Sequence, residues 1–182
     1  MGRTVTVKKE GQSLKLFAAK MRGKGRSPLK VNMKDILTGL IGGFLTIFAL
    51  IILTNITETA WLMASFGASC VLAFVAWNAP LSQPRNIIGG HFVSTLTGLV
   101  ILHLIGDEPW AMGLAVGLAI SFMILTKTTH PPAGADPIIV MIGGYSWGYL
   151  ITPVFIGSII IVIFALLLNN LRRNREYPTF WF

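Results

Sequence analysis

Thr129-His130-Pro131-Pro132-Ala133-Gly134-Ala135-Asp136-Pro137 place a hydroxyl, an imidazole and a carboxylate in a stretch that cannot continue a helix. Three prolines lack a backbone donor and crowd the turn before them, and Gly134 admits conformations that other residues resist. Strongly apolar sequence lies on both sides. In hydrocarbon each unpaired backbone group costs several kcal/mol, so broken backbone at that depth is confined to protein interiors or watery cavities. An imidazole there donates a hydrogen bond or takes up a proton. Asp136 has three readings: it caps a helix that starts at Pro137, it repels an anion, or it carries a proton.

A related pattern lies 67 positions earlier. Gly67-Ala68-Ser69 aligns with Gly134-Ala135-Asp136, and Ser69, like Asp136, is a helix N-cap type. The pattern predicts two short helices that start near Cys70 and Pro137 and run about eight residues, roughly 12 Å. Two such N-termini aimed at one point would bind a small anion through free N–H groups, helped by Ser69, Thr129 and His130. Gly67, Ala68, Ser69, Thr129, His130, Gly134, Ala135 and Asp136 are therefore the candidate substrate site. A second constellation, Gln83-Pro84-Arg85-Asn86, offers a guanidinium fork flanked by amides, with His91 following. Gln83, Arg85, Asn86 and His91 are candidate gating residues at a pore mouth, or else Arg85 is a snorkelling anchor. His91 and His103 lie about 120° apart on one helix, and no metal-ligand spacing links them to His130 or Cys70. No nucleophile set, phosphate loop or HExxH pattern is present, so neither an enzyme nor a cofactor is expected.

The elements that must hold these residues are apolar. The 182-residue chain has a mean hydropathy of +0.69, with 53% hydrophobic and 12% charged residues, which indicates a polytopic all-α membrane protein. Apolar segments fall at roughly 35–54, 60–78, 87–105, 110–126, 135–145 and 149–168. Lys and Arg concentrate before the first segment and in Arg172, Arg173 and Arg175 after the last, with Arg85 and Lys127 between. Six segments with both ends cytoplasmic put every one of these on the inner side and leave Glu58, Asp107 and Glu108 outside, as the positive-inside rule requires. The fifth segment either crosses or re-enters; re-entry leaves five crossings, which the charges argue against.

The expected organisation is a basic cytoplasmic tail over 1–34, a membrane domain over 35–171 and a cytoplasmic tail over 172–182. Within the domain two inverted three-segment repeats, about 35–105 and 110–168, each contain one broken half-helix. Leu14, Phe17, Ala18 and Met21 share one helical face amid lysines, which fits a helix on anionic lipid; a solvated tail that fixes orientation is the alternative. The membrane accounts for the net charge of +8, so nucleic acid is not expected. Small residues at four-residue spacing (Gly39 and Gly43; Gly90, Ser94 and Gly98; Gly113, Gly117 and Ser121) allow close helix packing, within the chain or in a homodimer.

Thr129-His130-Pro131-Pro132-Ala133-Gly134-Ala135 resembles the signature of the HPP family of integral membrane proteins. Gly67-Ala68-Ser69, Gln83-Pro84-Arg85-Asn86-Ile87-Ile88-Gly89-Gly90-His91 and Tyr177-Pro178-x-x-Trp181 are similar to that family's pattern as well, over roughly 28–182. The resemblance implies membrane transport, since plastid and cyanobacterial members are associated with nitrite. Asp136-Pro137 departs from the small uncharged pair expected there. The expectation is thus an inner-membrane transporter or channel of a bacterium for a small monovalent anion, nitrite first. The alternatives are a proton- or cation-coupled carrier that uses Asp136, and a membrane subunit or sensor that transports nothing.

Overall fold

The computed structural model describes residues 15–22, 25–27 and 31–181, and it divides into two compact units, Met1–Val31 and Asn32–Phe182. In the first unit residues 15–21 are helical, with Leu16, Phe17 and Met21 exposed. Leu14, the fourth member of the expected apolar face, lies outside the described residues.

The second unit is a helical bundle, without strands among the described residues. Helix α1 (Met33–Thr57) begins where the Asn32 side chain accepts the Lys34 N–H at 3.0 Å. Helix α2 (Ala64–Val75) follows an extended connection. Helices α3 (Pro84–Leu104) and α4 (Pro109–Leu125) each open on a proline, whose missing N–H is no loss in a first turn. A 3-10 turn over Pro131–Ala135 leads into α5 (Asp136–Gly143), which ends at Gly144 with φ +58°, a left-handed position suited to glycine. The last helix, α6 (Ile156–Asn170), is entered through a wide π turn over Leu150–Phe155, where Pro153 interrupts the hydrogen-bond ladder.

Three stretches are long and apolar enough to cross a membrane: Met33–Thr57, Pro84–Leu104 and Leu150–Asn170. Helices α2 and α4 are shorter but apolar, and α5 has only eight residues. Helix α1 leaves most of its length outside the packed interior, with Leu40, Phe44 and Phe48 exposed. Such a surface suits lipid as its solvent. Helix α3 is the most buried span, and Phe66, Phe74, Ile87, Leu99, Val140 and Ile161 fill the core around it.

Polar contacts tie one end of the bundle together. Asp35, at the start of α1, accepts from both Arg172 and Arg175, the latter at 2.7 Å. Arg175 also donates to the Phe74 carbonyl at the end of α2 and to Asn169 Oδ1 on α6, at 2.8 and 2.6 Å. Burial draws this guanidinium below its ordinary pKa, and Asp35 works in the opposite direction. Tyr177 donates to the Ser82 carbonyl, and burial raises its phenol above the usual value. Arg85 meets the Thr126 carbonyl past the end of α4. Lys34, Arg85, Lys127, Arg172, Arg173 and Arg175 therefore share one end of the bundle. The start of α1 and the end of α6 lie together there.

Candidate functional site

Where α2, α3 and the segment before α5 meet, an unbroken chain of hydrogen bonds crosses the interior. His130 Nδ1 donates to the Leu81 carbonyl at 2.8 Å. Its Nε2 lies 2.8 Å from Ser69 Oγ, which lies 2.8 Å from His91 Nε2. His91 Nδ1 is then 2.6 Å from Asp136 Oδ2, and Thr95 Oγ1 stands 3.4 Å from the same oxygen. Ser69, His91, Thr95, His130 and Asp136 are all at 0% exposure. The centroids of the two imidazoles lie 5.1 Å apart, and the Phe66 ring stands perpendicular to that of His91 with centroids 5.2 Å apart. Burial of three ionisable side chains in an apolar core is costly unless they are paired, which makes the cluster the candidate site.

The close approach has a sequence cause. On α3, Gly89, Gly90 and Gly98 face the non-helical segment and the start of α5. A Cβ added at Gly90 would stand 2.6 Å from His130 Cβ and 2.8 Å from the Thr128 carbonyl oxygen. One at Gly98 would stand 2.7 Å from Pro137 Cα. Ser94, between them, donates to the Ala133 carbonyl at 2.6 Å. The stripe Gly90, Ser94 and Gly98 thus serves packing within the chain. A Cβ added at Gly113 or Gly117 on α4 would meet nothing within 4 Å.

Several expectations need correction. The first short helix starts at Ala64 and runs 12 residues, because no residue at 64–69 breaks a helix. Gly67, Ala68 and Ser69 therefore lie inside it, and Ala68 is exposed, away from the cluster. Asp136 is not a cap. Ala135 holds that position without a side-chain bond, and the Asp136 carboxyl turns to His91, since a short hydrogen bond in a dry interior outweighs a cap. His91 lies in the central cluster, not at a mouth. Gln83 donates to the Trp77 and Ala79 carbonyls and accepts from Thr179 N–H, while Asn86 donates to the Thr129 carbonyl. Both hold backbone carbonyls of the segments between the α-helices. Arg85 does likewise at Thr126, beside a cavity of about 450 Å³ lined by Pro84, Ile88, Gly89 and Trp181. Thr129 and Gly134 are half-buried beside the cluster, and a Cβ added at Gly134 would meet nothing within 4 Å.

Sequence reasoning placed His91 only weakly and did not single out Thr95. Their signal was periodicity: 91 and 95 are one turn apart and share the face that carries Ser94 and Gly98. Among the described residues no group of three or more His, Cys, Asp or Glu side chains is arranged to hold a metal ion.

The HPP transmembrane-region profile matches residues 28–178. A transmembrane protein of Dictyostelium discoideum is 38% identical over 177 residues, covering 91% of this chain and 57% of its own length. A second transmembrane protein of that organism is 38% identical over 128 residues, 66% of this chain and 45% of its own length. The chain spans about half the length of these curated relatives. No solved structure matches it.

Proposed function

The chain belongs to the HPP transmembrane family and is an integral membrane protein, and on that premise we propose that it carries a small monovalent anion, nitrite first, across the bilayer. The observation that carries this reading is the buried His130–Ser69–His91–Asp136 chain at the junction of the two short helices. Ionisable groups at membrane depth mark the path of a polar passenger or a proton. In this reading the anion lies beside the His130 imidazole rather than at bare helix ends, and the donor left for it is the Ser65 hydroxyl, since the His130 and Ser69 hydrogens already have partners. Ser65 Oγ, buried one turn before Ser69, has no bonding partner and is free to donate. In this reading Asp136 does not repel the anion, because its Oδ2 shares a hydrogen with His91 Nδ1.

The surrounding architecture in this proposal is six segments in two inverted repeats, with α2 and α5 as the paired half-helices. The basic end, including Arg85 as the gathering donor at the mouth, faces the cytoplasm of a bacterial inner membrane. The tail over 1–34 rests on anionic lipid, and the chain pairs as a homodimer.

The test is uptake of nitrite, nitrate, chloride and formate into proteoliposomes that hold the purified chain, at two pH values. Saturable uptake that favours nitrite and disappears in His130→Ala, with the variant folded by circular dichroism, is the expected result. Uptake by a folded His130→Ala at the wild-type rate would sink the site assignment. No uptake of any anion would turn attention to a membrane subunit or sensor.

A further inference from the structure

We propose that each anion crosses together with one proton, and that the Ser69 hydroxyl is the rotor that registers this proton. The inference rests on the transport reading for its anion, but its core is hydrogen-bond arithmetic at one oxygen. Ser69 Oγ has three neighbours: the Ser65 carbonyl at 3.0 Å, His91 Nε2 at 2.8 Å and His130 Nε2 at 2.8 Å. A hydroxyl donates once and accepts twice. His130 Nδ1 always bears hydrogen, because its partner is the Leu81 carbonyl, which only accepts. Between His91 Nδ1 and Asp136 Oδ2, at 2.6 Å, lies one hydrogen. With Asp136 Oδ1, which has no bonding partner, bare of hydrogen throughout, the three directions of the Ser69 O–H define three protonation states.

Pointed at His130, the hydroxyl requires a bare Nε2 there, so His130 is neutral. His91 Nε2 then donates to Ser69, and His91 with Asp136 shares one proton as a neutral pair. The cluster has no net charge. Pointed at His91, the hydroxyl requires the reverse: His130 Nε2–H donates and His130 is an imidazolium. His91 is neutral and Asp136 is a carboxylate. The proton count is the same as before, with one proton passed from the Asp136 end to the His130 end. Pointed at the Ser65 carbonyl, the hydroxyl accepts from both histidines. His130 is an imidazolium while His91 and Asp136 still share their proton, so the cluster holds one more proton and a net charge of +1.

An uncompensated positive charge at this depth is strongly disfavoured. A monovalent anion beside His130 cancels it, and the free Ser65 hydroxyl supplies a further donor. The loaded cluster then carries one proton and one anion, and the empty cluster carries neither. Both are neutral, so the protein passes between its two states without moving net charge. No covalent bond changes; the proton comes from the water on one side and leaves to the other.

Other titratable groups leave this count intact. Within electrostatic reach of Asp136 stands Tyr149, and Cys70 adjoins Ser69 on α2. Helices α4 and α6 contribute no titratable side chain, α1 carries Lys34 and Asp35 only in its first turn, and the other imidazole of α3, His103, stacks on Trp147 at 4.8 Å.

Proteoliposomes with a lumenal pH dye test the proposal, with nitrate and nitrite as probes and protein-free vesicles as the measure of acid leak. Wild type should acidify the lumen by one proton per anion, at a rate unchanged by an imposed potassium diffusion potential. Ser69→Ala should lower coupled uptake roughly a hundredfold, and Ser69→Thr, which restores the hydroxyl, should recover it. Anion uptake that moves no protons and follows the potential would overturn the relay while leaving transport in place. If wild type moves no anion, the transport reading fails, and infrared difference spectra on a pH jump decide the relay alone. Imidazole and carboxyl bands should then change together in wild type and separately in Ser69→Ala; identical spectra would reject the rotor.

Discussion

Gly90→Ala is the sharpest single perturbation of the site. The added Cβ would lie 2.6 Å from His130 Cβ and 2.8 Å from the Thr128 carbonyl oxygen, where ordinary contact begins at 3.4 Å. Helix α3 and the segment over 128–130 must then separate by about 0.6–0.8 Å, since neither neighbouring atom is the far end of a flexible side chain. The same displacement stretches the 2.8 Å bond from His130 to Ser69 toward about 3.5 Å, the limit of a useful hydrogen bond. Overpacking of this kind costs about 1–3 kcal/mol. For a chain of this size that corresponds to a fall in Tm of roughly 2–12 °C. Thermal unfolding in detergent measures the packing, and proteoliposome uptake measures the relay. Both should fall in Gly90→Ala. Gly117→Ala is the control: nothing lies within 4 Å of its added Cβ, and alanine favours a helix interior by up to about 1 kcal/mol. If Gly90→Ala melts and transports like Gly117→Ala, the close approach of α3 to His130 is refuted.

Phe66→Ala removes a fully buried ring that touches His91 and fills the space above Gly157. It should destabilise the protein by about 3–5 kcal/mol in the same melts, and a loss below about 1 kcal/mol would contradict its place in the core. Arg175→Met strands the Asn169 Oδ1 and Phe74 carbonyl acceptors, and should cost about 2–4 kcal/mol, whereas Arg173→Met, at an exposed position, should stay within about 0.5 kcal/mol of wild type. Arg85→Gln loses one half-exposed bond to the Thr126 carbonyl and should lower stability by less than about 1 kcal/mol. It should nevertheless raise the anion concentration for half-maximal uptake several-fold; an unchanged value would reduce Arg85 to a cap on α4.

The amino-acid sequence by itself determined the environment of this protein and the positions of its breaks. Long apolar runs, with cations gathered at their alternate ends, demand a membrane. Prolines 131 and 132 interrupt regular α-helix, and prolines 84, 109 and 137 stand in the first turns of helices, because these are local constraints on φ and on backbone donors. The small residues of α3 announced a close contact without naming its partner. What the tertiary structure decided is which polar groups meet. Ser69, His91 and Asp136 are separated by 22 and 45 residues, and no local rule pairs them. By its own neighbours Asp136 reads as a helix cap, and Ser69 as another. Each was drawn instead to an imidazole, because a dry interior multiplies the worth of a charged or cooperative hydrogen bond while a cap keeps only its local value. Arg85, Gln83 and Asn86 likewise look like ligand donors in one dimension, and in three they satisfy the carbonyls that broken helices leave exposed.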